Sequence, residues 1–250
     1  VYDCSNLANI VNEAALPAVR RDSETVAMAH VDLAIERVVA GLQRRVPLRE
    51  DVKRKVAYHE GGHAVVAQLL PNTDPVHKVS VIPTAKGAMG YTMQMPEEDQ
   101  YLLGEQELRE RLAVMLGGRA AKLLVLGEPS TGASNGLERA TDLARRMVTE
   151  FGMTEALGPV RYAPEAGLDS LGIRRGLRQD LGRDTAAPID RETRRPVDEA
   201  QATAMDLLRA HRAALDEVAQ ILVEREVIDG DEVARIASGA EPETGDVAEA

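Results

Sequence analysis

The chain has 250 residues, a formal net charge of −11, no tryptophan, one phenylalanine (Phe151) and one cysteine (Cys4). That size can bury a substantial core in one large or two modest domains, and the core must be built from Leu, Val, Ala, Ile and Met. The acidic balance argues against nucleic acid or an anionic membrane as main partner, a lone cysteine excludes an internal disulfide and a cysteine metal cluster, and no apolar run approaches the ~18–20 residues of a membrane span.

No signal peptide opens the sequence, and residue 1 already falls inside a folded pattern, so the chain reads as a fragment. Residues 5–21 place Leu7, Ile10, Val11, Ala14, Ala15 and Val19 on one stripe and predict a helix, with Pro17 as its kink point. A second helix is expected over 30–41, carrying Leu33, Ile35, Val38 and Val39. The charged stretch from Leu42 to Glu50, with Pro47, reads as a boundary.

A third helix follows, from Lys53 to Leu70, mostly buried and ended by Pro71. It contains the most informative run of the chain, His59-Glu60-Gly61-Gly62-His63. Histidines at i and i+4 lie about 40° apart around a helix, so both imidazoles can reach one cation. Glu60 stands where its carboxylate reaches a water activated by that cation without ligating the metal. Zinc lowers the pKa of such a water from 15.7 to about 7, which makes it the nucleophile for a peptide carbonyl. Each helical glycine costs about 0.5–1 kcal/mol relative to alanine, so Gly61 and Gly62 predict close approach of another backbone or a bulky neighbour.

Val76–Pro83 and Gly90–Pro96 alternate and predict a β-hairpin around Gly87 and Gly90. Helices are expected again over 105–126, 137–150, 197–224 and 229–238. Residues 163–196 show no clear period and read as a mobile surface segment, and the acidic tail 240–250 reads as disordered. There is no internal repeat.

Beyond the metal motif, the chain resembles the C-terminal half of the FtsH family of membrane-anchored AAA+ zinc proteases. The matching runs are Asn6 to Leu16, Asp74 to Val79, Gly117-Gly118-Arg119-Ala120-Ala121, Ser130 to Asn135, Ala140 to Arg145 and Gly158-Pro159, in family order and spacing. The resemblance implies a mainly α fold with a small β-hairpin or sheet. Residues 1–46 would be the end of a helical AAA+ lid, 47–239 a helical zincin-type peptidase domain, and 240–250 a tail. It implies zinc held by His59 and His63 with Glu60 as general base, unfolded or membrane proteins as substrates, a homo-hexamer, and a place at the cytoplasmic face of the membrane. ATP would act only through an AAA+ core, because no Gly-x4-Gly-Lys-[Ser/Thr] loop occurs in these residues.

The chain departs from the family pattern where it matters. The aspartate that supplies the family's third zinc ligand is Gly136 here, on a stripe with 140, 143/144 and 147 that should face inward. Glu138 and Asp142 turn roughly 200° away from that stripe, and Asn135 offers only a neutral amide oxygen. Two family glutamates after Ala121 are Lys122 and Leu123, and Tyr2 to Asn6 replaces the segment where lid backbone approaches nucleotide. His77 reads as structural rather than as a ligand. Pro188 and Pro196 fall where relatives have one continuous helix and are expected to break it. Two readings follow: a zinc metalloendopeptidase, in which the strand at 90–96 holds substrate backbone, or a degenerate, non-catalytic paralogue that keeps the fold and oligomer contacts with a weak or absent zinc site.

Overall fold

The computed structural model describes residues 4–44, 47–85, 87–96, 102–162 and 183–239. It is mainly helical, with one small sheet, as the sequence predicts. Helices α1 (Cys4–Arg20) and α2 (Met28–Val39) pair through a small cluster of Ile10, Ala14 and Ala34. The larger core gathers α3 (Glu50–Leu69), α4 (Glu105–Leu126), α5 (Ser134–Thr149), α6 (Arg183–Ala210), α7 (Arg212–Arg225) and α8 (Gly230–Ser238). Strands β1 (Val76–Ser80), β2 (Tyr91–Gln94) and β3 (Val227–Asp229) form an antiparallel sheet in the order β2-β1-β3.

Helix α3 lies at the centre. Ala57, Ala64, Val65 and Val66 are fully enclosed, and the Tyr58 hydroxyl donates to Asp216 of α7 at 2.9 Å. After its last turn, the Thr73 hydroxyl donates to the Ala67 carbonyl, and Asn72 gives two hydrogen bonds to the buried Glu110 carboxylate of α4. Thr73 thereby satisfies a carbonyl that the helix end would otherwise leave bare, and Asn72 ties the following turn to α4. The crossing of α3 over α4 is closer than side chains permit. A Cβ on Gly62 would lie 2.5 Å from the Gly117 carbonyl oxygen, and one on Gly117 would lie 2.6 Å from that of Gly62. The glycine expectation therefore holds for Gly62. Gly61 differs, since a Cβ there meets Val218 and Leu215 at ordinary distances of 3.4 and 3.6 Å.

Besides a break at His211 that divides the helix expected over 197–224, two features depart from expectation. Helix α6 runs unbroken through Pro188 and Pro196, and residues 183–196, expected to be mobile surface, form its first half. Tertiary burial overrides the local cost: Ile189, Thr193, Pro196, Ala200, Ala204 and Leu208 make one continuous buried stripe. The second is β3, whose three residues are too few to show a period; pairing with β1 defines it. Residues 163–182 and the tail 240–250 lie outside the described residues, so the expectations placed on them are not addressed. Among the described residues no helix is long and apolar enough to cross a membrane.

The contrast between the paired glycines makes a direct test. Gly62→Ala should destabilise the protein by about 1–3 kcal/mol in urea unfolding, the scale of overpacking a tight interior. Gly61→Ala should be neutral or stabilising by up to about 1 kcal/mol, from helix propensity. Equal effects at both positions would contradict this α3–α4 contact.

Candidate metal and catalytic centre

His59, Glu60 and His63 occupy one turn of α3, facing α4 and the start of β2. The two imidazoles meet edge to face, with centroids 4.7 Å apart and planes at 79°. His63 Nδ1 lies 2.6 Å from the Val114 carbonyl of α4, and a carbonyl only accepts, so Nδ1 carries the proton and Nε2 is left with its lone pair free. His59 Nδ1 is buried and has no hydrogen-bond partner among the described residues. Burial lowers the pKa of both rings, His59 to about 3, with its neighbour His63 as the next cause. Both are therefore neutral, the state in which imidazole ligates metal.

The space these nitrogens face is kept open by a glycine. A Cβ on Gly118 would come within 2.5 Å of His59 Cε1 and His63 Nε2, and closer still to His59 Nδ1. An orphaned buried nitrogen, a second free lone pair and a cradle that any side chain would fill together fit a cation held by two histidines. The third ligand is another matter. Among the described residues no group of three or more His, Cys, Asp or Glu side chains is placed to hold a metal. Gly136 does fall on the buried side of α5, but its missing Cβ points at the Met115 carbonyl of α4, 2.8 Å away. Asn135 and Glu138 are exposed, and His77 lies on β1 apart from the histidine pair.

Glu60 is buried, and desolvation raises its pKa to about 7, against the opposing influence of a hydrogen bond from Thr92. The Thr92 hydroxyl on β2 lies 3.1 Å from Glu60 Oε2 and 3.0 Å from the Glu60 carbonyl. Gly90 permits that approach, since a Cβ there would sit 3.0 Å from Glu60 Cγ. The sequence reading did not single out Thr92; its only signal was its place on the Thr92/Gln94 face of an alternating strand. It also treats Lys122 as a lost acid, whereas its buried ammonium, held by Ser130, exerts a charge effect on His59, Glu60 and His63 alike.

An HEGGH turn on a buried helix, with the glutamate held by a strand and both imidazoles neutral, has the pattern of a helical metallopeptidase. Residues 46–236 match Peptidase family M41, and the chain belongs to that family. It is 47% identical over 231 residues to the ATP-dependent zinc metalloprotease FtsH of Syntrophobacter fumaroxidans, covering 92% of this chain and 36% of that protein. It is 45% identical over 240 residues to FtsH 1 of a Thermoanaerobacter species (96% and 39%), and 47% identical over 230 residues to FtsH of Pseudomonas putida (91% and 37%). The chain thus spans under two fifths of the length of these relatives.

Gly118→Ala tests the cradle. The added methyl must push both rings aside, so zinc binding in a chelator-competition titration should be lost while the helical circular dichroism is retained. Unchanged zinc affinity would show that the space beside Gly118 is not where the two nitrogens hold a cation.

Proposed function

We propose that this chain is the peptidase part of an FtsH-type ATP-dependent protease, hydrolysing peptide bonds in unfolded or membrane protein substrates. The observation that carries this reading is the sealed HEGGH turn, with Glu60 fixed by Thr92 beside two neutral imidazoles that have free lone pairs. His59 and His63 would hold zinc. Zinc bound there supplies Lewis-acid polarisation of the scissile carbonyl and of the attacking water. Glu60 takes the proton from that water and passes it to the departing amine, and Thr92 keeps its carboxylate aimed. Strand β2 is an edge of the sheet, so an extended substrate can add to it through main-chain hydrogen bonds, which accounts for broad sequence tolerance.

In this reading residues 1–46 end an AAA+ lid and 47–239 form the peptidase domain. The assembly is a homo-hexamer at the cytoplasmic face of a membrane, and ATP drives unfolding through an AAA+ core that these residues do not contain. The match of residues 46–236 to the peptidase family supports a peptidase domain that begins near 46, and the relatives' names support ATP dependence.

A second reading is favoured by two observations: among the described residues no third ligand joins the histidine pair, and Lys122 is buried one turn of α4 beyond Gly118. There the chain is a non-catalytic member that contributes fold and oligomer contacts. Casein cleavage with added zinc separates the two. Glu60→Gln should lower cleavage by at least about a hundredfold, the scale of a lost general base, with zinc still bound. Gly136→Asp should raise zinc affinity and cleavage, at a stability cost of about 1–3 kcal/mol because its Cβ crowds the Met115 carbonyl. If neither the wild type nor Gly136→Asp cleaves casein in excess zinc, the non-catalytic reading stands.

A further inference from the structure

Lys122 is 3% exposed, an extreme burial for a lysine. It lies on α4 one turn beyond Gly118, so the same helical stripe that opens the cradle beside the histidines next presents an ammonium group. Its Nζ donates to the Ser130 hydroxyl at 2.7 Å, across the loop that leads into α5. Gly132 leaves room for the pair, since a Cβ there would sit 3.4 Å from Nζ and 3.7 Å from Ser130 Oγ. Among the described residues no carboxylate forms an ion pair with it; a neutral hydroxyl anchors the charge. Lys122 acts electrostatically on His59, Glu60 and His63, and Arg139 of α5 adds a second positive influence on His63.

A buried ammonium at this place is a cation where the family's enzymes bring a cation in from solution. Two positive charges in one poorly hydrated pocket repel far more strongly than they would in water. The serine tether fixes the lysine in place, so it cannot simply swing out to solvent without losing its partner. We propose that Lys122 is a built-in cation that competes with zinc for the His59–Glu60–His63 pocket, holding the chain in a zinc-poor state that the missing acid at 136 alone would not produce. The proposal rests on His59 and His63 being the zinc-binding pair, and not on whether the loaded centre cuts peptides.

The experiment is a zinc chloride titration against a chromophoric chelator on the whole chain, paired with the zinc-induced rise in Tm. It compares the wild type with Lys122→Met, Lys122→Gln, Lys122→Glu and Lys122→Arg. The two neutral variants keep the length of the stem and should bind zinc at least about tenfold more tightly, and Lys122→Glu about a hundredfold or more, the range seen when groups around a metal are altered. Lys122→Arg keeps the charge and should stay within about threefold of the wild type. Cobalt chloride supplies a check that does not depend on affinity alone: visible bands of cobalt with histidine ligands should appear in Lys122→Met at concentrations where the wild type shows none.

Two neutral variants guard against a folding failure, because their stems pack as lysine's does and circular dichroism reports the fold. If folded Lys122→Met and Lys122→Gln bind zinc no better than the wild type, the proposal is overturned. It is equally overturned if Lys122→Arg gains affinity as they do, since packing and not charge would then be the cause. Tighter zinc in the neutral variants with no casein cleavage in any of them would uphold this proposal and remove the peptidase reading.

Discussion

The contact of Gly62 with Gly117, backbone against backbone, is the constraint from which the rest of the centre follows. With α3 and α4 this close, there is no layer of side chains between the HEGGH turn and its neighbour. The next residue on α4, Gly118, therefore borders both imidazoles. Val114, one turn earlier, presents its carbonyl to His63 Nδ1 and sets the tautomer. Met115 meets the first turn of α5 at Gly136, and Lys122, one turn later, brings its charge to the pocket. Four positions on one face of α4 thus decide the orientation of a ligand, the width of the cradle, the depth at which α5 docks and the local potential. A bulkier residue at 62 or 117 would move all four together.

Electrostatics decides how that geometry is used. Glu60 is a carboxylate in a dry place, and an undisturbed one would take up a proton readily. The Thr92 hydroxyl and the Lys122 charge both favour its ionised form; burial lowers the pKa of Lys122, and the Glu60 charge opposes that shift. Each charge thus favours the other, against a burial that disfavours both, and a Glu60 pKa of about 7 puts its proton in play at neutral pH. An acid at 122 or at 136 would instead add negative charge to α4 or α5, where the family pattern carries it. The substitutions at these two positions thus act in the same direction, and the one at 122 acts twice, removing an anion and adding a cation.

The sequence made much of this legible, for physical reasons that differ by element. The HEGGH helix, α4 and the hairpin announce themselves because apolar residues recur at the period of the structure they form. The pairing of glycines pointed to a close backbone, though only Gly62 has one. The continuity of α6 was not legible, because proline's cost is local while the stripe from Ile189 to Leu208 that offsets it is tertiary. Nor was β3, which owes its existence to β1. At the centre, spacing brought His59, Glu60 and His63 together, since one helical turn links them. Thr92 and Lys122 come from other elements 30 and more residues away, and no periodicity connects them to Glu60.

Strand β2 carries a last consequence of the fold. Successive residues of a strand face opposite sides, so Thr92 turns toward Glu60 while Tyr91 turns away. The Tyr91 hydroxyl lies 3.4 Å from Glu36 of α2, and Lys78 on the neighbouring β1 pairs with the same carboxylate. Burial, with the Glu36 charge beside it, pushes the Tyr91 hydroxyl up to about 12, so it remains a proton donor throughout the neutral range. The linker adds backbone bonds from Arg44 to Pro83 and from Ala85 to Leu42. One face of the sheet's edge is thus fastened to the first helical pair and the other face to Glu60. The spacing between α2 and Glu60 is set by a single strand two side chains thick, with no mobile loop between them to absorb a change.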